Sequence, residues 1–158
     1  MLDSLDAVGV KVLHDRRAPG SDAVLGHLAV TSHGVFVMDA KRVPGEPRKG
    51  VHVVPGGATR EQLLVGRRDC TGLVDEMREH ASTVKAALTA AGFGDVPVAA
   101  MLCLTEAKWS PTDDAITVDG VRVLWPKAAA KVLTEDGFFD PDRVDAMLES
   151  LAAAFPPA

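Results

Sequence analysis

The sequence is poor in residues that stack, cross-link or anchor. Tyrosine is absent, and two tryptophans and five phenylalanines make up the whole aromatic set, 4% of 158 residues. So thin a supply argues against a platform on which successive unpaired bases stack. Only two cysteines occur, Cys70 and Cys103, far apart and without a CxxC pair. A disulfide scaffold and a structural zinc site are therefore not expected, and a reducing, cytoplasmic setting is the default. The five histidines (His14, His27, His33, His52 and His80) show no metal-ligand spacing. No apolar run approaches the roughly 20 residues of a membrane span. The N-terminus has no basic segment followed by an apolar stretch, so no signal peptide is expected either. Positive charge is also in deficit: 17 basic against 22 acidic residues leave −5, unlike a histone-type protein.

What is present suits one soluble domain spanning 1–158. Hydrophobic residues make up 47% and charged residues 25%, enough apolar material for one core and too little net charge for disorder. Apolar positions at Leu2, Leu5 and Val8 predict a short opening helix. Val10, Val12 and His14 alternate as a strand does, and residues 15–22 read as a loop around Pro19-Gly20. Residues 23–30 and 35–41 are two β-type runs around a short turn containing Gly34, which predicts a hairpin. Residues 42–60, rich in proline and glycine, read as loop with a small strand at 51–54, and another strand is expected at 62–65. Leu73, Met77, Ala81, Val84 and Leu88 form one apolar stripe on a helix from Thr71 to about Ala91, stopped by Gly92 and Gly94. Residues 96–104 are a nearly continuous apolar run, as in a strand buried on both faces; Cys103 reads there as a core residue. A second hairpin turns at Asp119-Gly120. Pro126 opens a helix to about Leu133, and Asp140 caps a last one begun by Pro141. The expected fold is α/β (or α+β), with a central mixed sheet flanked by helices.

The charge is unevenly spread. Between Lys41 and Arg68, seven basic residues face only Glu46 and Glu61, a local +5 that leaves −10 elsewhere. Such a stretch is either a solvated loop or a surface for phosphate backbones, and Arg42, Arg48 and Lys49 are its candidates for contact. Arg16 and Arg17 are further candidates on the preceding loop. If Ser32 and His33 form the hairpin turn, Asp39 falls opposite Gly26 and Lys41 opposite Val24. Asp39 and Lys41 then share a face, about 7 Å apart along the strand. An acid and a lysine so placed suit phosphodiester hydrolysis: the carboxylate holds Mg²⁺, the metal activates a water, and the ammonium stabilises charge on the phosphate. Taken alone, the triplet is more often an ordinary surface pair.

The context adds to this. The stretch VLHDRRAPGSDAVLGHLAVTSHGVFVMDAKR resembles the nuclease-related domain family, whose members carry VLHDR, a PGS loop, an I-D-H strand and a G-V-[FYW]-V-I-D-A-K return. The similarity continues through VGRRD, VPVAAMLCL, the Trp109 segment and VRVLWPKAAAKVL to LAAAFPPA. The resemblance implies a restriction-endonuclease-like fold of the PD-(D/E)xK superfamily, which cuts DNA with Mg²⁺ or Mn²⁺. By that match Asp39 is a metal ligand, Ala40 offers its carbonyl to the metal, and Lys41 faces the phosphate. His14 and His27 match the family too; a structural hydrogen-bonding role is expected of His27, and His14 with Asp15 is expected to fix the loop.

The sequence departs from the family where the first metal-binding aspartate is expected, and Gly26 stands there. An acid at that position would lie across the ladder from Asp39 with Cβ atoms about 5 Å apart, close enough to share one cation. Mg²⁺ is usually held by one or two carboxylates with waters and substrate phosphate, so losing one of two weakens it severely. Asp22 shares the face of position 26 but is about 13 Å away along a strand. Asp15 belongs to the preceding loop, and the Gly-Glu pair that often supplies the family's acid from the first helix is not found, which leaves Asp3 or Asp6 to stand in for it. His80 stands near a position where the family often has an auxiliary glutamine. Three functions stay open: a metal-dependent DNA nuclease, a degenerate member that still binds nucleic acid, and a non-catalytic module for a protein partner or a second copy.

Overall fold

Alternation of apolar side chains builds the first hairpin. In the computed structural model, which describes residues 9–110 and 112–158, β2 (Val24–Thr31) and β3 (Gly34–Lys41) pair antiparallel from Thr31↔Gly34 to His27↔Met38. This is the register that a Ser32-His33 turn dictates. Leu28, Val30, Val35 and Val37 fill one face and Ala29, Phe36 and Met38 the other, so a slip of one residue would exchange the two cores. The helix expected at Leu2–Val8 lies outside the described residues.

β1 (Lys11–Arg17) pairs with β2 and runs further than the alternating residues predict, taking Asp15, Arg16 and Arg17 out of the expected loop. Its other edge is occupied by the end of the chain: Arg17 N–H donates to Pro156 O at 2.8 Å and Ala158 N–H to Asp15 O at 2.9 Å. Backbone pairing on both sides outweighs the loop-like side chains here.

β7 (Val98–Leu104) lies parallel to β3, from Val35↔Val98 to Lys41↔Leu104. β9 (Val121–Leu124) is parallel to β7, and β8 (Ile116–Val118) returns antiparallel to β9. The six-stranded sheet has the order β1-β2-β3-β7-β9-β8 and is mixed. Val37, Leu102 and Val123 lie in one core, and Met38, Met101 and Leu124 in the other, which is why β7 is apolar throughout.

Residues 42–60, expected as loop with a small strand at 51–54, hold longer strands than that. β4 (Pro47–Val53), β5 (Thr59–Val65) and β6 (Arg68–Asp69) form a separate three-stranded sheet. Pro47 is the first residue of an edge strand, where a missing N–H is tolerated; Gly50 lies within β4 opposite Gln62, and Pro55, Gly56 and Gly57 fall in the turn to β5.

α1 (Thr71–Ala90) buries Val74, Met77, His80, Val84 and Leu88. The stripe is rotated from the expected one: Leu73 and Ala81 are only partly buried, and Val74 and His80 take inward positions. Packing against β3, β5 and β7 sets this rotation, and periodicity alone leaves it open by one residue. α2 (Pro126–Leu133) and α3 (Pro141–Ala154) start at their prolines, and the Asp140 carboxylate accepts the Arg143 N–H at 2.8 Å as expected of a cap. α1 and α3 cover one face of the large sheet and α2 the other. Among the described residues, no helix is long and apolar enough to cross a membrane.

Candidate nucleic-acid interface

The parallel trio β3, β7 and β9 ends on one edge of the sheet, and this edge carries Asp39 and Lys41. Carboxyl ends of parallel strands are where open α/β sheets gather their ligands. Alternation puts the two side chains on one face, and Lys41 Nζ stands 3.4 Å from Asp39 Oδ2. Asp39 Oδ1 also accepts the Ala40 N–H at 3.1 Å. The Asp39 side chain is 18% exposed and that of Lys41 38%, so the lysine remains open to an incoming anion. The Lys41 carbonyl is fixed from β7's end by the Thr105 N–H at 3.0 Å.

Gly26 lies directly beside this pair. A β-carbon built there would stand 2.7 Å from Asp39 Oδ1. The Asp39 carboxylate therefore occupies the space where a side chain at 26 would begin. Its oxygens already engage Ala40 and Lys41, and Gly26 offers no carboxylate from β2. Among the described residues no group of three His, Cys, Asp or Glu is placed to hold a metal ion. Among the described residues one carboxylate, already engaged by Ala40 and Lys41, and the backbone at Ala40 are what this place offers a metal, the low end of what Mg²⁺ takes from a protein.

Asp15 is a β1 residue rather than a loop residue, between the pairs His14↔His27 and Arg16↔Leu25. It adopts a left-handed φ of 47°, a conformation that aspartate tolerates better than most residues. Beyond it Arg16 turns toward the C-terminal segment: its guanidinium donates to Phe155 O at 3.4 Å, and its Nε is buried without a hydrogen-bond partner among the described residues. Arg16 is thus tied into the fold, whereas the Arg17 side chain is exposed. His14 and His27 meet across β1 and β2 with Nδ1 atoms 2.9 Å apart and rings edge-on, so one carries the bridging proton and the other accepts it. His80 is buried on α1.

The basic stretch divides into paired and open cations. Lys49 is bonded to Glu61, and Arg60 to Asp75 with Asp119 at 3.8 Å. The Lys49 hydrogen bond, helped by the Asp119 N–H, holds the Glu61 carboxyl below its ordinary range, and Asp75 raises Arg60 further. Arg42 is 3.9 Å from Glu106 and its side chain is 83% exposed, a weak surface pair. Arg48, Arg67 and Arg68 are exposed and have no carboxylate within 4.0 Å among the described residues. They are brought together by a close backbone crossing. Gly66 N–H donates to Glu46 O at 3.0 Å, the Arg48 guanidinium reaches Gly66 O at 3.4 Å, and a β-carbon on Gly45 would lie 2.9 Å from Gly66 N. Gly45 is in turn tied to the β7 end, its carbonyl accepting the Lys108 N–H at 2.7 Å. Arg48, Arg67 and Arg68 consequently gather at this crossing, and Arg42 lies next to Lys41 in the chain. Arg67 and Arg68 stand out in the sequence only as a dibasic pair after a glycine, and the β5–β6 turn is what gives them their place.

Trp109 and Trp125 close the same edge, with ring centroids 5.0 Å apart. Both are partly buried and pack against the two cores, which gives them a bracing role. Comparisons of the chain with protein families, with curated proteins and with solved structures return no match.

Proposed function

We propose that this chain is a nuclease-related domain of the restriction-endonuclease-like, PD-(D/E)xK type whose cutting centre is incomplete, and that it acts by binding DNA. The carrying observation is the position of Asp39 against Gly26: the acid-x-lysine pair is in place at a strand end, and position 26 gives it no carboxylate. Lys41 supplies an exposed ammonium for a phosphate, and Arg42, Arg48, Arg67 and Arg68 supply the surrounding positive field. Asp39 keeps Lys41 oriented. No metal-dependent step follows from so small a donor set. The two buried, unpaired cysteines suit a reducing cytoplasm.

The test pairs a binding assay with a cutting assay. Anisotropy of a labelled duplex should report salt-dependent binding that falls on Lys41→Ala. Supercoiled plasmid with Mg²⁺ or Mn²⁺ should be nicked at background level only. Nicking lost in both Asp39→Ala and Lys41→Ala would make the chain a working nuclease; absence of any salt-dependent DNA binding would leave the protein-interaction module as the function.

A further inference from the structure

A cavity of about 330 Å³ lies between the loop that joins β1 to β2 and the middle of α1. Ala18, Pro19 and Ala23 give it an apolar wall on the loop side. The loop holds this shape by itself: Ala18 N–H donates to Ala23 O at 3.0 Å, and Ser21 Oγ accepts the Ala23 N–H at 3.0 Å. The helix wall is polar. Glu76, Glu79, His80 and Thr83 line it from one stripe of α1, three or four residues apart. Arg78 lies among them in the chain, and the turn of the helix carries it off this stripe.

His80 is the buried member, 6% exposed. Its ring makes no hydrogen bond among the described residues, yet neither ring nitrogen is sealed off from solvent. A polar side chain this deep normally has a partner. Here its nitrogens open into the cavity that the ring lines. Glu76 and Glu79 have no basic partner within 4.0 Å among the described residues. The Thr83 hydroxyl is spent on Glu79 O at 3.0 Å. What stays open is a set of acceptors: two carboxylates and the lone pair of a neutral imidazole.

We propose that this cavity binds a guanidinium group, carried by a free small molecule or by an arginine of a protein partner. The proposal is independent of the DNA-binding function. A guanidinium presents five donors in a fixed planar fork and no acceptor that would go unpaired. It can therefore serve acceptors spread over one helical turn, and its charge answers the two carboxylates. Its alkyl stem finds the apolar wall of Ala18, Pro19 and Ala23. An ammonium is a compact, strongly hydrated point charge and makes less of separated acceptors. A phosphate would be repelled by Glu76 and Glu79. A metal ion is disfavoured, since no group of three ligands is placed for one among the described residues.

The experiment titrates the full chain with Nα-acetyl-argininamide and with its citrulline and lysine counterparts, following backbone amide shifts. Citrulline keeps the shape of arginine and loses its charge. The arginine compound should bind saturably and shift residues 18–23 and 76–83. It should bind about tenfold more tightly than the citrulline compound and at least threefold more tightly than the lysine compound. Glu76→Gln/Glu79→Gln, at exposed positions, should weaken it about tenfold, and His80→Leu should weaken it further. The comparison of ligands uses the unsubstituted protein, so it stands whatever His80→Leu does to folding. A capped Gly-Arg-Gly peptide separates the sources. Binding as tight as that of the amide supports an arginine side chain of a partner, and binding tenfold weaker supports a free guanidino compound. Equal affinity for the citrulline compound, shifts confined to other residues, or indifference to the glutamate substitutions would overturn the proposal. Micromolar Zn²⁺ binding lost in His80→Leu, with no guanidinium binding, would overturn it in favour of a metal site.

Discussion

The carboxylate of Asp39 rests over the bare α-carbon of Gly26, where any β-carbon would stand 2.7 Å from Asp39 Oδ1. The obstruction is the end of a flexible side chain rather than backbone, so a larger residue is admitted once Asp39 turns aside.

Restoring an acid by Gly26→Asp should therefore be tolerated and should create a cation site. Two carboxylates about 5 Å apart repel in the absence of metal and share a divalent ion in its presence. Thermal unfolding with and without millimolar Mn²⁺ should show the variant gaining several degrees, at about 2–4 °C per kcal/mol for a chain of this size, and the parent less than one. An equal gain in the parent would show that it already holds the ion.

Paired and open cations should differ in their salt dependence. Arg48→Ala and Arg67→Ala should each reduce the slope of log affinity against log salt by about 0.9, the value for one phosphate contact. Lys49→Ala should change it less, because Lys49 is committed to Glu61. Equal effects from all three would make the Lys49–Glu61 pair irrelevant to binding.

Acid should destabilise the fold through Glu61, Asp69 and Asp95. Lys49, Thr71 and Arg143 respectively lower their pKa values by hydrogen bonding. Because the folded values lie below the unfolded ones, the contribution is complete above the ordinary carboxylate range near pH 4 and is lost as pH falls through the folded values. The urea midpoint should be flat from pH 7 to about 5 and fall below 4. Asp69→Ala should lower the midpoint at neutral pH and flatten the acid limb.

Thiol chemistry should report burial. Cys103 is pushed up to about 11 and Cys70 is raised, in both cases chiefly by burial. A rise from 9 to about 11 cuts the thiolate at pH 8 about a hundredfold. Cys103 should react with an aromatic disulfide at least that much more slowly in the native chain than in urea. Rapid native labelling of Cys103 would mean that the β3–β7 region opens.

Local pattern accounts for much of the architecture. The β2–β3 register follows from alternation on both sides of a tight turn, and its partners are close in sequence. Asp140 and Pro141 start α3 because capping depends on a few adjacent residues. Only the far end of β4 was legible, as the small strand expected at 51–54; its first part was hidden, since Pro47 and Gly50 lower strand propensity and only pairing with β5 overrides that preference. The inward place of His80 was hidden too, because neighbours from distant strands decide which edge of a helical stripe turns in.

The candidate site divides along the same line. By itself the sequence determined that Asp39 and Lys41 share a face, that Gly26 stands opposite Asp39, and that positive charge is concentrated between residues 41 and 68. Each of these depends on strand periodicity or composition. Only the tertiary structure decided which of those charges remain open. Glu61 comes from the facing strand, Asp75 from α1 and Asp119 from a turn far along the chain, and together they engage Lys49 and Arg60. The Gly45–Gly66 crossing sets Arg48 beside the turn that carries Arg67 and Arg68. Ion pairing falls off within a few ångströms, so long-range folding, which sets those distances, decides which cations stay free for a phosphate.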